Sequence, residues 1–273
     1  MKIIATLFTF VFFISCANSK ETNYTASTPA GSLVRTFLGI SLTDSIDFIR
    51  WKLSLTDLTY TLECTYGIGK PNTNGFYDPK SVKLSGTVKR DNTTNTYTLQ
   101  NGNTTLKLAE LNANLLHILS NNSLAIGNGG WSYALNNITP AANNKSLLTS
   151  KQIVIKDSMA FEGRTPCGVP NLNKGSECYK LKWYFVLYGH PGTNEPTTYR
   201  VLGTGFRTEG GRRSTWKIIN NNDGRIVYQL NDENGKPFLH LLKLDEGILI
   251  FTDTKGNLLV GDHDFSYTLN RKF

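Results

Sequence analysis

NLLVGDHDFSYTLN, residues Asn257 to Asn270, is written once before as SLAIGNGGWSYALN, residues Ser123 to Asn136. Aligned without gaps, Leu124 meets Leu258, Gly127 meets Gly261 and Trp131 meets Phe265. Ser132-Tyr133 meets Ser266-Tyr267, and Leu135-Asn136 meets Leu269-Asn270. Polar residues vary between the two (Asn128-Gly129-Gly130 against Asp262-His263-Asp264), while the apolar, glycine and Ser-Tyr positions repeat. The block therefore reads as the strand that completes a module used twice.

Working outward, the correspondence continues in order. Arg50-Trp51-Lys52-Leu53 meets Lys182-Trp183-Tyr184-Phe185, and Thr59-Tyr60 meets Thr198-Tyr199. Thr87 meets Thr215, Tyr97-x-Leu99 meets Tyr228-x-Leu230, Leu106-x-Leu108 meets Leu239-x-Leu241, and Leu115 meets Leu249. Matches fall on alternating apolar positions and length differences fall between them. Strand registers resist insertion and loops accept it, so this is the signature of one fold used twice. Ile49, Trp51, Leu53 and Leu55 alternate with polar neighbours, as do Tyr60, Leu62 and Cys64, which is the period of half-buried strands. A turn-rich stretch, Gly67 to Lys80, separates them from further strands. Thr28, Pro29 and Gly39 bracket a short helix as cap, first residue and stop.

The expected class is all-β: two tandem antiparallel meanders, each a small lipocalin-like barrel, with a short helix near the N-terminus. The expected segments are 1–15 signal peptide, 16–28 lipidated tether, 29–138 first module, 139–158 linker and 159–273 second module. Lys2, a dozen apolar residues and then Phe13-Ile14-Ser15-Cys16 resemble a bacterial lipobox, with Phe13 where leucine is usual. The apolar run is too short to span a bilayer. This resemblance implies lipidation at Cys16 and a place in the cell envelope. Ala17, rather than aspartate, after the cysteine favours the outer membrane. The net charge of +8 is scattered, with Arg212-Arg213 the densest pair lacking an acidic neighbour. Such a balance suits a solvated surface or anionic headgroups. The expected partners are the membrane through its anchor, an apolar small molecule or an envelope protein, and no nucleic acid.

Phe161-Glu162-Gly163-Arg164-Thr165-Pro166-Cys167, with Cys178 and a strand beginning near Trp183, resembles the opening of the N-terminal domain of NlpE-type outer-membrane lipoproteins. Asp253-Thr254-Lys255-Gly256 and Tyr267-Thr268-Leu269 resemble that domain's close. The family is linked to copper homeostasis and envelope stress, and its domain is a lipocalin-like barrel. The match covers Phe161 to Asn270, and Phe37 to Asn136 more weakly. The family's C-x-x-C is absent: ten residues separate Cys167 from Cys178. That spacing reads most simply as a disulfide stapling a loop, with a redox or soft-metal pair as the alternative. Cys64, between Leu62 and Tyr66 on an apolar strand face, reads as a buried thiol.

No catalytic constellation and no metal-ligand spacing occurs among His117, His190, His240 and His263. Neither a metal nor a cofactor is expected. Asp262-His263-Asp264 could hold a cation but reads as a polar turn, and Gly203-Thr204-Gly205 opens no helix that could bind phosphate. Asp44-Ser45-Ile46 and Asp157-Ser158-Met159 resemble the O-glycosylation acceptor of Bacteroidetes envelope proteins. Trp51, Trp131, Trp183 and Trp216 either line a cavity for an apolar ligand or fill the core. The functional expectation is a non-enzymatic, outer-membrane-anchored binding, sensor or structural module, with a lipocalin-like carrier as the alternative and the ligand unassigned.

Overall fold

The computed structural model describes residues 21–142, 144–148, 157–172, 178–204, 206, 210–220 and 224–273. The first half comprises β1 (Thr22–Pro29), α1 (Ser32–Leu38), β2 (Phe48–Leu55), β3 (Thr59–Gly69), β4 (Phe76–Asp91), β5 (Thr96–Asn101), β6 (Thr104–Asn112), β7 (Leu115–Ser120), β8 (Ser123–Leu124) and β9 (Ala134–Asn137). The second half comprises β10 (Ser158–Thr165), β11 (Leu181–Gly189), β12 (Pro196–Gly203), β13 (Arg212–Asn220), β14 (Ile226–Asn231), β15 (Pro237–Lys243), β16 (Ile248–Thr252) and β17 (Thr268–Lys272).

Each half closes an antiparallel barrel of eight strands. In the first, β1 to β7 run as a meander and β9 seals the seam between β7 and β1. In the second, β10 to β17 close on themselves, with β17 pairing both β16 and β10. Closure removes the open sheet edge that a meander would otherwise expose.

Inward positions repeat as the alternation requires. Trp51 and Trp183 occupy equivalent sites, and each indole N–H donates to a threonine hydroxyl at 2.8 Å, Thr28 in one barrel and Thr165 in the other. The Tyr60 hydroxyl donates to the Gln100 carbonyl at 3.0 Å, and its counterpart Tyr199 to Asn231 at 2.7 Å. Buried polar atoms need partners, so these bonds let large amphipathic rings fill a barrel. In the first interior, Trp51, Cys64, Leu99, Leu106, Leu108, Leu116 and Ile118 are all fully buried. A void wide enough for water would leave their surfaces partly accessible, so side chains fill the interior around them.

Several expectations change. Residues 22–28 of the expected tether belong to β1, because Tyr24, Ala26 and Thr28 face the first core. The first module thus begins at Thr22, and Ser158, at the far end of the expected linker, opens β10. Thr28 and Pro29 do not start the helix. Thr28 is the acceptor for Trp51, and α1 is preceded by Gly31 and ended by Gly39 in the left-handed conformation. Half of the expected Gly67–Lys80 loop is strand, since β3 and β4 resume pairing beyond a bulge at Gly67, through Ile68 with Tyr77 and Gly69 with Phe76. Leu115 is equivalent to Ile248, not Leu249, because Leu115 pairs with Asn136 and Ile248 with Asn270. Signal-peptide residues 1–15, Cys16 and linker residues 149–156 lie outside the described residues.

The barrels differ at one rim. Between β1 and β2, α1 caps the first barrel, burying Val34, Phe37 and Leu38. The segment between β10 and β11 carries a disulfide instead, Cys167 to Cys178, with Cα atoms 6.0 Å apart. Val169 is buried there against the second core.

The barrels dock through a pseudo-two-fold interface built from the repeated block. The Gly261 N–H donates to Asn136 Oδ1 at 3.0 Å, and the Gly127 N–H donates to Asn270 Oδ1 at 2.7 Å. Between these reciprocal bonds the hydroxyls of Ser132 and Ser266 meet at 2.6 Å. Outward apolar positions of β6 and β7 (Ala109, Leu111, Leu115) join the cluster that holds their counterparts Leu242, Leu244 and Ile248 on the second barrel. Only part of the block is strand. Its middle arches over, and the final residues pair as β9 or β17.

A Cβ at position 261 would lie 2.1 Å from the Phe265 carbonyl oxygen and 2.9 Å from Asn136 Oδ1. Gly261→Ala should therefore lower the unfolding free energy by about 1–3 kcal/mol, measured by urea titration. His117 lies one strand step from Leu115 on the same outward face, where the second barrel has Ile250. It is fully buried, its Nε2 has no partner, and burial depresses its pKa to about 4. The unfolded chain takes up this proton near pH 6.5 and the folded chain only near pH 4. Stability should fall as pH drops through that window, by on the order of 3 kcal/mol. Unfolding midpoints from pH 7 to pH 4 should show this slope, and His117→Gln should flatten it.

Candidate functional site

Docking the two barrels leaves an open cleft of about 1100 Å³ between their rims. One wall comes from the first barrel: Asp47 and Phe48 at the start of β2, and Lys70 to Asn74 in the turn joining β3 to β4. Trp131, from the arch of the first closing block, forms its floor. The opposite wall comes from the second barrel: Arg164 on β10, Cys178 to Lys182 leading into β11, and Thr204 after β12.

The electrostatics are one-sided. Lys70, Arg164, Lys180 and Lys182 line the cleft against one carboxylate, Asp47. That carboxylate is occupied locally, because Asp47 Oδ2 accepts the Gly69 N–H at 2.7 Å. No carboxylate stands within salt-bridge distance of Arg164, Lys180 or Lys182 among the described residues. Burial lowers the pKa of Arg164, and burial followed by repulsion from Arg164 and Lys182 lowers that of Lys180. Repulsion from Arg164 and Lys182 disfavours the charged Lys180, Asp264 offsets this in part, and an anion bound in the cleft would offset it further.

Aromatic faces hold two of these cations, Arg164 and Lys180, in place. The Arg164 guanidinium lies 5.3 Å from the Trp131 ring centre, and Trp131 stacks on Phe48 at 4.6 Å, with Phe76 stacked beyond at 4.2 Å. The Lys180 ammonium lies 5.1 Å from Tyr179 and 5.4 Å from Phe265. Such contacts position a cation without consuming its hydrogen-bond donors. Tyr179 is 53% exposed, presenting much of its surface outward. Asn74 Nδ2, also on the lining, is a buried donor with no acceptor.

Cys167 and Cys178 form the expected disulfide, which fixes the segment that delivers Tyr179 and Lys180 to the cleft. The Tyr267 hydroxyl donates to the Cys167 carbonyl at 2.6 Å and anchors the other end. Cys64 is the buried free thiol, with burial pushing its pKa up. Trp51, Trp183 and Trp216 fill the interiors, whereas Trp131 serves the cleft. The triplet at Asp262 is a turn: Asp262 Oδ1 accepts the Asp264 and Phe265 N–H groups at 2.8 and 2.7 Å. Asn128 does the same for Gly130 and Trp131 at 3.1 and 3.0 Å, so the varying polar residues keep one role. Asp264 pairs with Arg50 at 3.0 Å, across the barrel boundary. Arg212 is compensated, 3.6 Å from Glu233 and stacked on Phe238 at 4.5 Å. The cationic cluster was missed because Arg164, Lys180 and Lys182 look like ordinary outward residues in sequence. No group of three or more metal-ligating side chains occurs, and no helix is long and apolar enough to cross a membrane, among the described residues.

Neither protein-family models, curated proteins nor solved structures match this chain.

Removing the disulfide by Cys167→Ser with Cys178→Ser should cost about 3 kcal/mol of stability in the chain-entropy picture. Urea unfolding of the variant beside the oxidised protein checks this. Thiol titration of the denatured parent should find Cys64 free and Cys167 and Cys178 unreactive.

Proposed function

We propose that the protein is a non-enzymatic binding module of the bacterial cell envelope, anchored to the outer membrane through lipid on Cys16, and that its site is the cleft between the barrels. The observation that carries this reading is the cluster of Arg164, Lys180 and Lys182 in an open cleft, with no carboxylate within salt-bridge distance of them among the described residues and with Arg164 and Lys180 held over aromatic rings. Function sought inside a barrel would need space, and the first interior is taken up by Trp51, Tyr60 and the leucines around them. Surface binding therefore has better support than carriage of an apolar molecule.

The envelope location rests on the lipobox-like Phe13-Ile14-Ser15-Cys16 and on the resemblance to NlpE-type lipoproteins. Acyl chains on Cys16 would supply about 0.8 kcal/mol per buried methylene. Because β1 begins at Thr22, the chain between anchor and barrel can span only about 20 Å, so the first barrel would ride close to the headgroups. The copper chemistry of that family has no support in the cysteines, since Cys167 and Cys178 are joined to each other.

Cells given radioactive palmitate should label the protein, and Cys16→Ala should lose the label; label retained in the variant would remove the anchor. Native mass spectrometry of the Cys16→Ser protein should find no apolar molecule co-purifying. A stoichiometric lipid would favour the carrier instead.

A further inference from the structure

The charge and the polar lining of the cleft say more about its ligand. Resting on the reading of the cleft as the binding site, we infer that its ligand is an oligosaccharide bearing carboxylate or phosphate groups. Three features point there together. First, Arg164, Lys180 and Lys182 converge from the second barrel while Lys70 faces them from the first, so the positive charges are spread over the cleft. A single small ion would engage one side; a chain of anionic units meets both. Second, the volume of about 1100 Å³ and the open mouth fit a ligand of several units that continues beyond the cleft. Third, the wall between the cations is built from the polar residues Asn72, Thr73, Asn74 and Thr204.

A sugar ring matches that wall. Its hydroxyls accept from amides and donate to carbonyl and hydroxyl oxygens, and its C–H face packs on an exposed tyrosine such as Tyr179. Arg164 is suited to the anionic group. Its planar fork binds carboxylate or phosphate through paired hydrogen bonds, and the Trp131 face holds it in place before the ligand arrives. Lys180 and Lys182 act as point charges beside it. Binding of an anion also offsets the repulsion that Arg164 and Lys182 exert on Lys180, a gain that a neutral ligand cannot provide.

The test is calorimetric titration of the whole mature chain carrying Cys16→Ser. The probes are a galacturonic acid hexamer, a phosphorylated mannose oligomer, neutral maltohexaose, hexaglutamate and a single-stranded hexanucleotide. At least one anionic sugar should bind, tenfold or more tighter than maltohexaose, and weaken as salt rises. Arg164→Gln with Lys180→Gln should weaken it at least tenfold, with the thermal midpoint unchanged, whereas Lys89→Gln with Lys107→Gln, remote from the cleft, should not. Equal binding of maltohexaose, or no binding of either anionic sugar, overturns the ligand class. Tighter binding of hexaglutamate or the hexanucleotide overturns it in favour of peptide or nucleic acid. Binding unchanged in the Arg164/Lys180 variant overturns the site. None of these results disturbs the palmitate and mass-spectrometric outcomes, which test the anchored, non-carrier reading separately.

Discussion

The exchange of side-chain amides between the barrels is the constraint on which the rest depends. Asn136 reaches out of the first barrel to hold Gly261, and Asn270 reaches out of the second to hold Gly127. Both glycines sit where a Cβ would strike a backbone carbonyl of their own arch and crowd the partner barrel's amide oxygen, so the tight arch that presents each N–H is possible only without one. Each closing arch is completed by the other barrel. The two halves are thereby fixed in one relative orientation, and the wall containing Lys70 comes to face the wall containing Lys180.

Around this exchange, apolar packing supplies the bulk of the association. Leu111, Leu115 and their equivalents Leu244 and Ile248 bury outward faces that would be sticky on an isolated barrel. The directional bonds select which burial occurs. The histidine at 117 interrupts this patch where the second barrel has isoleucine. Its neutral imidazole is tolerated because the Ile118 carbonyl lies 3.0 Å from Nδ1.

The barrels were legible in sequence because inward positions obey a period of two and recur a second time. The Trp-bearing strands and the Tyr60 and Tyr199 pair followed from that pattern, and the disulfide from the ten residues that separate Cys167 and Cys178. The first strand was hidden: Thr22 to Pro29 is polar enough to resemble a tether, and only its neighbours show that Thr28 faces inward to satisfy an indole. Pairing beyond the bulge at Gly67 was hidden for a similar reason, since its residues carry turn chemistry. The closing block was recognised as a repeat but read as a strand. Its repeated glycine and asparagine serve the partner barrel, a reciprocity that appears only when both copies are in place. The cleft was least visible, because it is assembled from residues that are unremarkable on each strand and become a cluster only across the junction.

The position of the cleft relative to the pseudo-two-fold carries a further consequence. Phe48 and Lys180 are equivalent positions, two residues before the matched Arg50 and Lys182, and both line it. The cleft therefore straddles the pseudo-dyad. In a dimer of identical barrels this recess would be a palindrome, obliged to offer any guest the same surroundings in either direction. Fusion into one chain lifted that obligation. An aromatic ring now stands on one side of the dyad and an ammonium group on the other, Asp47 opposes Tyr179, and Trp131 answers Phe265. A guest with distinguishable ends can be held in a single direction, so a linear chain could be read from one terminus to the other.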